Sequence, residues 1–377
     1  MERPDEQYLQ PPVIASLVCH SGRLFPGIEK QLGETLTPKL QQLIRTLEVA
    51  RVEEHLPDLR RMMGRPQRDR AALARAFVAK AVPNLPTTEA LIDRLHQDRS
   101  LEQLCGFNVF RKLPDAATFS RAFAGFARFE LPQRVHATLI SAHLSDQLIG
   151  HLSRDSNAIE ARERAAAKPK DAVTAPAPKP ARRGRPKRGE VRPNPPPTRI
   201  EQQPQMPTLT EMLSDLPRAC DTGTKRDARG FKHGWIGYKL HRDVADGGIP
   251  ISALLTSASV HDSQVHIPLG KMSAGRVTNL RDLADAGYCS PLLRDYSRSL
   301  GHVPLIDHNP RRGEKILFVA HEAERYKERS TVERANARIK DEFGGRSIYV
   351  RGPVKVMAHL MFGIVALTVD QLMRLLQ

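Results

Sequence analysis

From about Thr35 to His143, apolar residues recur three and four positions apart, and each run opens on a residue able to cap a helix. Asp69 precedes RAALARAFVAKAV, Thr87 precedes TEALIDRLHQD, Ser100 begins a capping box with Gln103, and Asp115 opens AATFSRAFAGFARF. A side-chain oxygen at such a position accepts from an N–H that the first turn leaves unpaired, so the spacing predicts a helical domain over residues 35–145. Further on, the period changes. Leu148 to Ser153 is a short apolar run, while Trp235 to Ala245 and Ile249 to Val260 read as strands joined by the turn Asp246-Gly247-Gly248. Val277 to Leu283 and Val303 to Asp307 are two more strands. Helical stretches begin at His261-Asp262-Ser263 and at about Pro291, and another follows the last strand. Three strands, helix, strand, helix, strand, helix predicts a mixed sheet with helices on both faces.

Two segments break this pattern. Between Ala161 and Pro207 the composition shifts to Pro, Arg, Lys and Ala, with eleven prolines and almost no large apolar residues. Such a stretch cannot offset its ordering entropy by burial, so residues 161–207 are expected to be a disordered basic insert. It splits one α/β unit into residues 146–160 and 208–352 and leaves 1–34 as an N-terminal extension. At the other end, Leu360 to Val369 is ten apolar residues flanked by His359, Asp370 and Arg374, too short to span a bilayer. It reads as a buried helix within 353–377 that packs on the α/β core.

Charge then narrows the partner. The chain has 58 Lys plus Arg against 42 Asp plus Glu, a net charge of +16, with a pI near 10.0, which suits a polyanion because neutralised phosphates release counterions. Arg60, Arg61, Arg65, Arg68 and Arg70 crowd the entry to one predicted helix. Inside the insert, Arg182-Arg183-Gly184-Arg185-Pro186-Lys187-Arg188 resembles an AT-hook, whose Arg183, Arg185 and Lys187 would lie in a narrow minor groove. Non-specific phosphate attraction accounts for the same residues. The cysteines at 20, 105, 220 and 289 are too scattered for a C-x-x-C zinc site or a disulfide framework, which points to a reducing cytoplasm, and no signal peptide opens the chain.

The most specific pattern lies near the C-terminus. Tyr326, Arg329, Glu333 and Lys340 are spaced Y-x2-R-x3-E-x6-K on what reads as one helix, with Asn336 on the same face and Val332, Ala335, Ile339 and Phe343 as the neighbouring apolar stripe. A carboxylate flanked by cations suits metal ions held against a phosphate backbone. Ser330 and Glu333 also fit a capping box, which would explain the same glutamate structurally. The spacing resembles the signature of bacterial insertion-sequence DDE transposases of the IS-four type. Trp235 to Asp243 (WIGYKLHRD), Leu283 to Tyr288 (LADAGY), Lys340 to Arg346 (KDEFGGR), Leu104 to Phe107 (LCGF) and Pro114 to Arg121 (PDAATFSR) are similar to the same group.

The resemblance implies an RNase H-like catalytic core preceded by an all-α DNA-binding domain, possessing three metal-holding carboxylates. In that fold the first Asp ends the first strand, the second ends the fourth, and the Glu lies on the last helix. Asp155, Asp285 and Glu333 fall at those places, with Glu160 a rival for the first and Asp262 for the second. Two Mg²⁺ or Mn²⁺ ions would clamp the attacking and leaving oxygens of a phosphodiester. Tyr326, Arg329 and Lys340 would contact DNA phosphates, and Trp235 would either pack on a strand or stack on a base. The expected enzyme is cytoplasmic and nucleoid-associated, works on double-stranded DNA at terminal inverted repeats and target sites, and forms a homodimer on DNA. The alternatives are a nuclease of the same fold without strand transfer and a non-catalytic DNA-binding derivative. One departure stands out: only 47 residues separate Asp285 from Glu333, so the β-rich insertion common in this group is missing.

Overall fold

The computed structural model describes residues 36–57, 69–167, 196–226, 229–310 and 314–375. The cluster Arg60, Arg61, Arg65 and Arg68, the segment carrying Arg183, Arg185 and Lys187, and the extension over 1–34 lie outside the described residues.

Among the described residues, six helices form the first half: α1 (Pro38–Ala50), α2 (Arg70–Ala81), α3 (Thr88–Gln97), α4 (Arg99–Cys105), α5 (Ala116–Arg128) and α6 (Leu131–Leu144). Three expected caps form. Asp69 accepts from the Ala71 and Ala72 amides, Thr87 from Ala90 and Asp115 from Thr118. Ser100 does not cap; Asp98 accepts from the Leu101 amide at 3.0 Å instead, and α4 begins at Arg99. An ionised carboxylate is favoured at a helix N-terminus, which places Ser100 inside the first turn.

The α/β unit contains β1 (Leu148–Glu160), β2 (Asp221–Arg226), β3 (Lys232–Ala245), β4 (Pro250–Ser257), β5 (Thr278–Ala284) and β6 (Val303–Ile306). Its helices are α7 (Arg199–Gln202), α8 (Leu209–Asp215), α9 (His266–Ala274), α10 (Pro291–Ser299), α11 (Ala320–Tyr326), α12 (Ser330–Glu342) and α13 (Pro353–Arg374). β1 runs centrally, antiparallel to β3 and parallel to β5; β5 is parallel to β6, and β4 is antiparallel to β3. This mixed α/β sheet flanked by helices is consistent with an RNase H-like core. β2, which the alternation did not disclose, pairs with the first part of β3 as an added ribbon.

Three expectations change. Residues 196–207, placed in the disordered insert, contain α7 and a following 3₁₀ turn. Arg199 donates to Asp215 and Gln264 at 2.6 Å each, Gln203 is fully buried, and Ile200 and Met206 pack on the cluster around Met212 and Ile267, so polar anchors and a few apolar contacts order the segment. Secondly, α13 is 22 residues, long and apolar enough by composition to cross a membrane, but 78% of its most apolar window is buried inside the fold. Thirdly, α13 contacts α6, α5, α1 and α2 as well as β4, so it is the shared core between the helical region and the sheet. Its apolar residues face both sides because both sides are protein.

On one face of the sheet a buried charge network braces β1. The Arg154 guanidinium donates two hydrogen bonds to Asp243 on β3, each 2.7 Å, and Ser273 on α9 donates to the same carboxylate at 2.6 Å. Arg154 is 3% and Asp243 0% exposed.

Candidate active site

Asp155 lies mid-strand on β1, opposite Arg242 of β3. The expectation that it ends its strand fails because β1 continues to Glu160 through pairing with β3. Asp285 does follow β5 directly, where its carboxylate accepts from the Gly287 amide at 2.9 Å and opens the turn Ala286–Tyr288. β1 and β5 are parallel neighbours with Arg154 beside Ala284, so the next residues along, Asp155 and Asp285, emerge from adjacent strands. Strand alternation puts Asp155 on the face opposite the Arg154 network, beneath α12. There the Asn336 amide of α12 donates to Asp155 Oδ2 at 2.9 Å.

Burial raises the Asp155 carboxyl to about 6, against the Ser156 amide, and the nearby negative charge of Asp285 adds to the rise. Burial likewise raises Asp285, with the Arg329 guanidinium as the strongest opposing influence. Two partly buried carboxylates that act on each other are costly to ionise without a cation, and hard divalent ions prefer oxygen donors. The donor chemistry of Asp155 and Asp285 therefore fits a divalent cation.

Glu333 stands apart. Its carboxylate is 58% exposed and accepts from Arg329 at 2.8 Å. Among the described residues, no three His, Cys, Asp or Glu side chains come close enough to hold one metal ion. Arg329 links the pieces: it pairs with Glu333 and acts electrostatically on Asp155 and Asp285. The capping box of Ser330 and Glu333 does not form, since α12 has no side-chain N-cap and the Ser330 hydroxyl accepts from Arg334.

The signature residues do not share one continuous helix. Tyr326 ends α11, Lys327–Arg329 form a 3₁₀ turn, and Glu333 and Lys340 lie on α12. The break lets the Tyr326 hydroxyl donate to the Ala284 carbonyl at 3.2 Å, beside Asp285, while its ring packs on Phe318. Lys340 is partly buried, and burial lowers its pKa, with Arg346 adding to the effect. Of the rivals, Asp262 is paired with Lys239 at 3.0 Å, and Glu160 is exposed at the end of β1. Trp235 packs within the β2–β3 ribbon, its indole N–H donating to the Tyr238 carbonyl.

Sequence reasoning missed Arg242. It is fully buried opposite Asp155, and none of its guanidinium nitrogens has a hydrogen-bond partner. Burial lowers its pKa to about 10, with Asp155 opposing. A charged residue inside an alternating strand was the available signal.

Two family models match the chain. One is described as a transposase DDE domain and matches residues 214–369; the other is a transposase domain (DUF772) and matches residues 29–124. The first includes Asp285, Tyr326, Arg329, Glu333 and Lys340 but begins after Asp155, whose assignment rests on its strand. No curated protein and no solved structure matches significantly. A transposase domain (DUF772) followed by a transposase DDE domain on a mixed α/β sheet supports an insertion-sequence DDE transposase.

Proposed function

We propose that the chain binds the terminal inverted repeats of an insertion sequence and carries out metal-dependent DNA cleavage and strand transfer. The observation that carries this reading is the pair Asp155 and Asp285, delivered by adjacent strands beneath the helix that bears Glu333. Those three side chains would hold Mg²⁺ or Mn²⁺, Glu333 after exchanging its bond to Arg329. Two such ions, when bound, neutralise developing charge on the attacking and leaving oxygens. In the first step water forms a bond to phosphorus and the bond to the 3′-oxygen breaks, leaving a 3′-hydroxyl. That hydroxyl's oxygen then bonds to the phosphorus of a target phosphodiester while the target's own 3′-oxygen leaves and takes up a proton, so one phosphodiester bond replaces another.

The protein's own groups position this chemistry. Asn336 fixes Asp155, Tyr326 holds the carbonyl preceding Asp285, and Arg329 and Lys340 supply positive charge for DNA phosphates. The helical region and the segment carrying Arg183, Arg185 and Lys187 would add DNA affinity, and a homodimer would bridge two ends. Such an enzyme works at the bacterial nucleoid. The Arg329–Glu333 pair is the observation favouring a second reading, a DNA-binding derivative without catalysis. A strand-transfer assay on end-containing DNA separates them. The transposase reading predicts Mg²⁺- or Mn²⁺-dependent joining that Asp155→Asn, Asp285→Asn and Glu333→Gln each abolish. Cleavage without joining indicates a nuclease, and binding alone indicates the derivative.

A further inference from the structure

The β2–β3 ribbon bears none of the three carboxylates, yet it is built as a stiff, basic extension beside them. Asp221–Arg226 pairs antiparallel with Lys232–Gly237, and Gly237 also pairs with Glu160 at the end of β1. The ribbon therefore grows directly from the strand that carries Asp155. A two-stranded ribbon alone is marginally stable, and this one has specific bracing. Gly223 lies opposite Trp235, and a Cβ at Gly223 would come within 2.4 Å of the indole ring. Glycine thus permits the indole to lie against the facing strand while its N–H donates to the Tyr238 carbonyl at 3.1 Å. At the root, the Tyr238 hydroxyl donates to Glu163 at 2.5 Å, and Glu163 also accepts from the Gly352 amide that leads into α13.

The charge on this ribbon has one sign where it matters. Lys225 is exposed and lies opposite His233, two residues beyond the Gly223–Trp235 pair and on the same face of β2 as Gly223. Lys232 is exposed as well. The ribbon leaves the sheet where Gly237 pairs with Glu160, on the same strand as Asp155, so its basic side chains extend from the strand that builds the site. A lysine is a compact point charge that suits a phosphate oxygen and reads no base.

We propose that the β2–β3 ribbon is an arm that grips the DNA backbone beside the candidate site, with Lys225 paired to a phosphate. This rests on the transposase reading above, because the site defines which phosphate lies there. The partner is the sugar-phosphate backbone of duplex DNA, held by charge and ribbon shape.

The test measures binding of the full chain to a mixed-sequence DNA duplex by fluorescence anisotropy across a salt series without divalent ions, beside cleavage of end-containing DNA in Mn²⁺. Lys225→Ala should reduce the slope of log K against log salt by about one, as expected for one lost phosphate contact. Lys225→Arg should restore the slope. Gly223→Ala, displacing the indole, should weaken binding while circular dichroism shows the fold retained. An unchanged slope in Lys225→Ala, with cleavage equal to that of the wild type, overturns the arm. If the wild type binds DNA with the predicted Lys225 dependence but never cleaves, the arm holds as a DNA contact and the transposase reading falls instead.

Discussion

Asn336 of α12 donates a hydrogen bond to Asp155 of β1 at 2.9 Å, joining residues 181 positions apart in the chain. The bond fixes one carboxylate oxygen, and the Ser156 amide also donates to the same carboxylate. Groups that orient a metal ligand commonly contribute 10–100-fold to activity or affinity when removed. Asn336→Leu should therefore lower the cleavage rate by roughly 10- to 100-fold. The melting temperature should move little, because Asn336 is only partly buried. A variant that cuts at the wild-type rate would remove Asn336 from the site's support.

The pH dependence follows from Asp155. Its folded pKa, about 6, lies above the ordinary carboxylate value because burial penalises the ionised form. The folded state therefore holds this proton more tightly than the unfolded chain. The associated stability is fully present below the unfolded pKa near 4 and is lost as pH rises through about 6. In metal-free buffer, Asp155→Asn should be more stable than wild type at pH 8, by on the order of 2–3 kcal/mol. The two should converge toward pH 4. Urea unfolding at the two pH values checks this, and a gap that widens on acidification would contradict the assignment.

On the opposite face, Arg154 and Asp243 form a buried bidentate pair whose acidic partner also accepts from Ser273. Removing one member leaves a buried charge without its partner. Arg154→Met alone should cost about 3–5 kcal/mol in chemical denaturation, as breaking buried pairs does. The double variant Arg154→Met with Asp243→Leu should recover most of that loss. Equal losses in the single and double variants would show that the pair is not coupled.

Gly363 of α13 lies against the end of α12, where an added Cβ would meet the Phe343 carbonyl oxygen at 2.3 Å. The backbone cannot yield there without moving the helix that carries Glu333 and Lys340. Gly363→Ala should destabilise by about 1–3 kcal/mol, in the range of overpacked cores, and slow cleavage as well. Thermal melting and a cleavage time course read the two effects.

Much of this architecture was legible in the chain. Period changes located five of the six described strands, and Asp69, Thr87 and Asp115 marked helix starts by the chemistry of unpaired amides. Asp285 was legible because a strand precedes it and a small-residue turn follows. Other features depended on distant partners. β2 has no apolar alternation, since TGTKR gains its structure by pairing with β3. α7 is ordered by Arg199 reaching Asp215 and Gln264 and by Ile200 packing on the Met212 cluster, distant contacts that local composition does not reveal. The break after Tyr326 similarly follows a tertiary bond to Ala284. Glu333 was identified by spacing, but its engagement with Arg329 is a matter of side-chain geometry that spacing does not carry.

If Asp155, Asp285 and Glu333 jointly hold the catalytic cation, each contributes to its affinity. Titration of Mn²⁺ into the DNA-bound protein, followed by electron paramagnetic resonance, tests it without requiring turnover. Saturable binding is expected in the wild type, with loss of at least tenfold in affinity for Asp155→Asn and for Asp285→Asn and a comparable loss for Glu333→Gln, since each removes a charged ligand worth upwards of about 1.4 kcal/mol. Wild-type Mn²⁺ affinity in all three variants would contradict it.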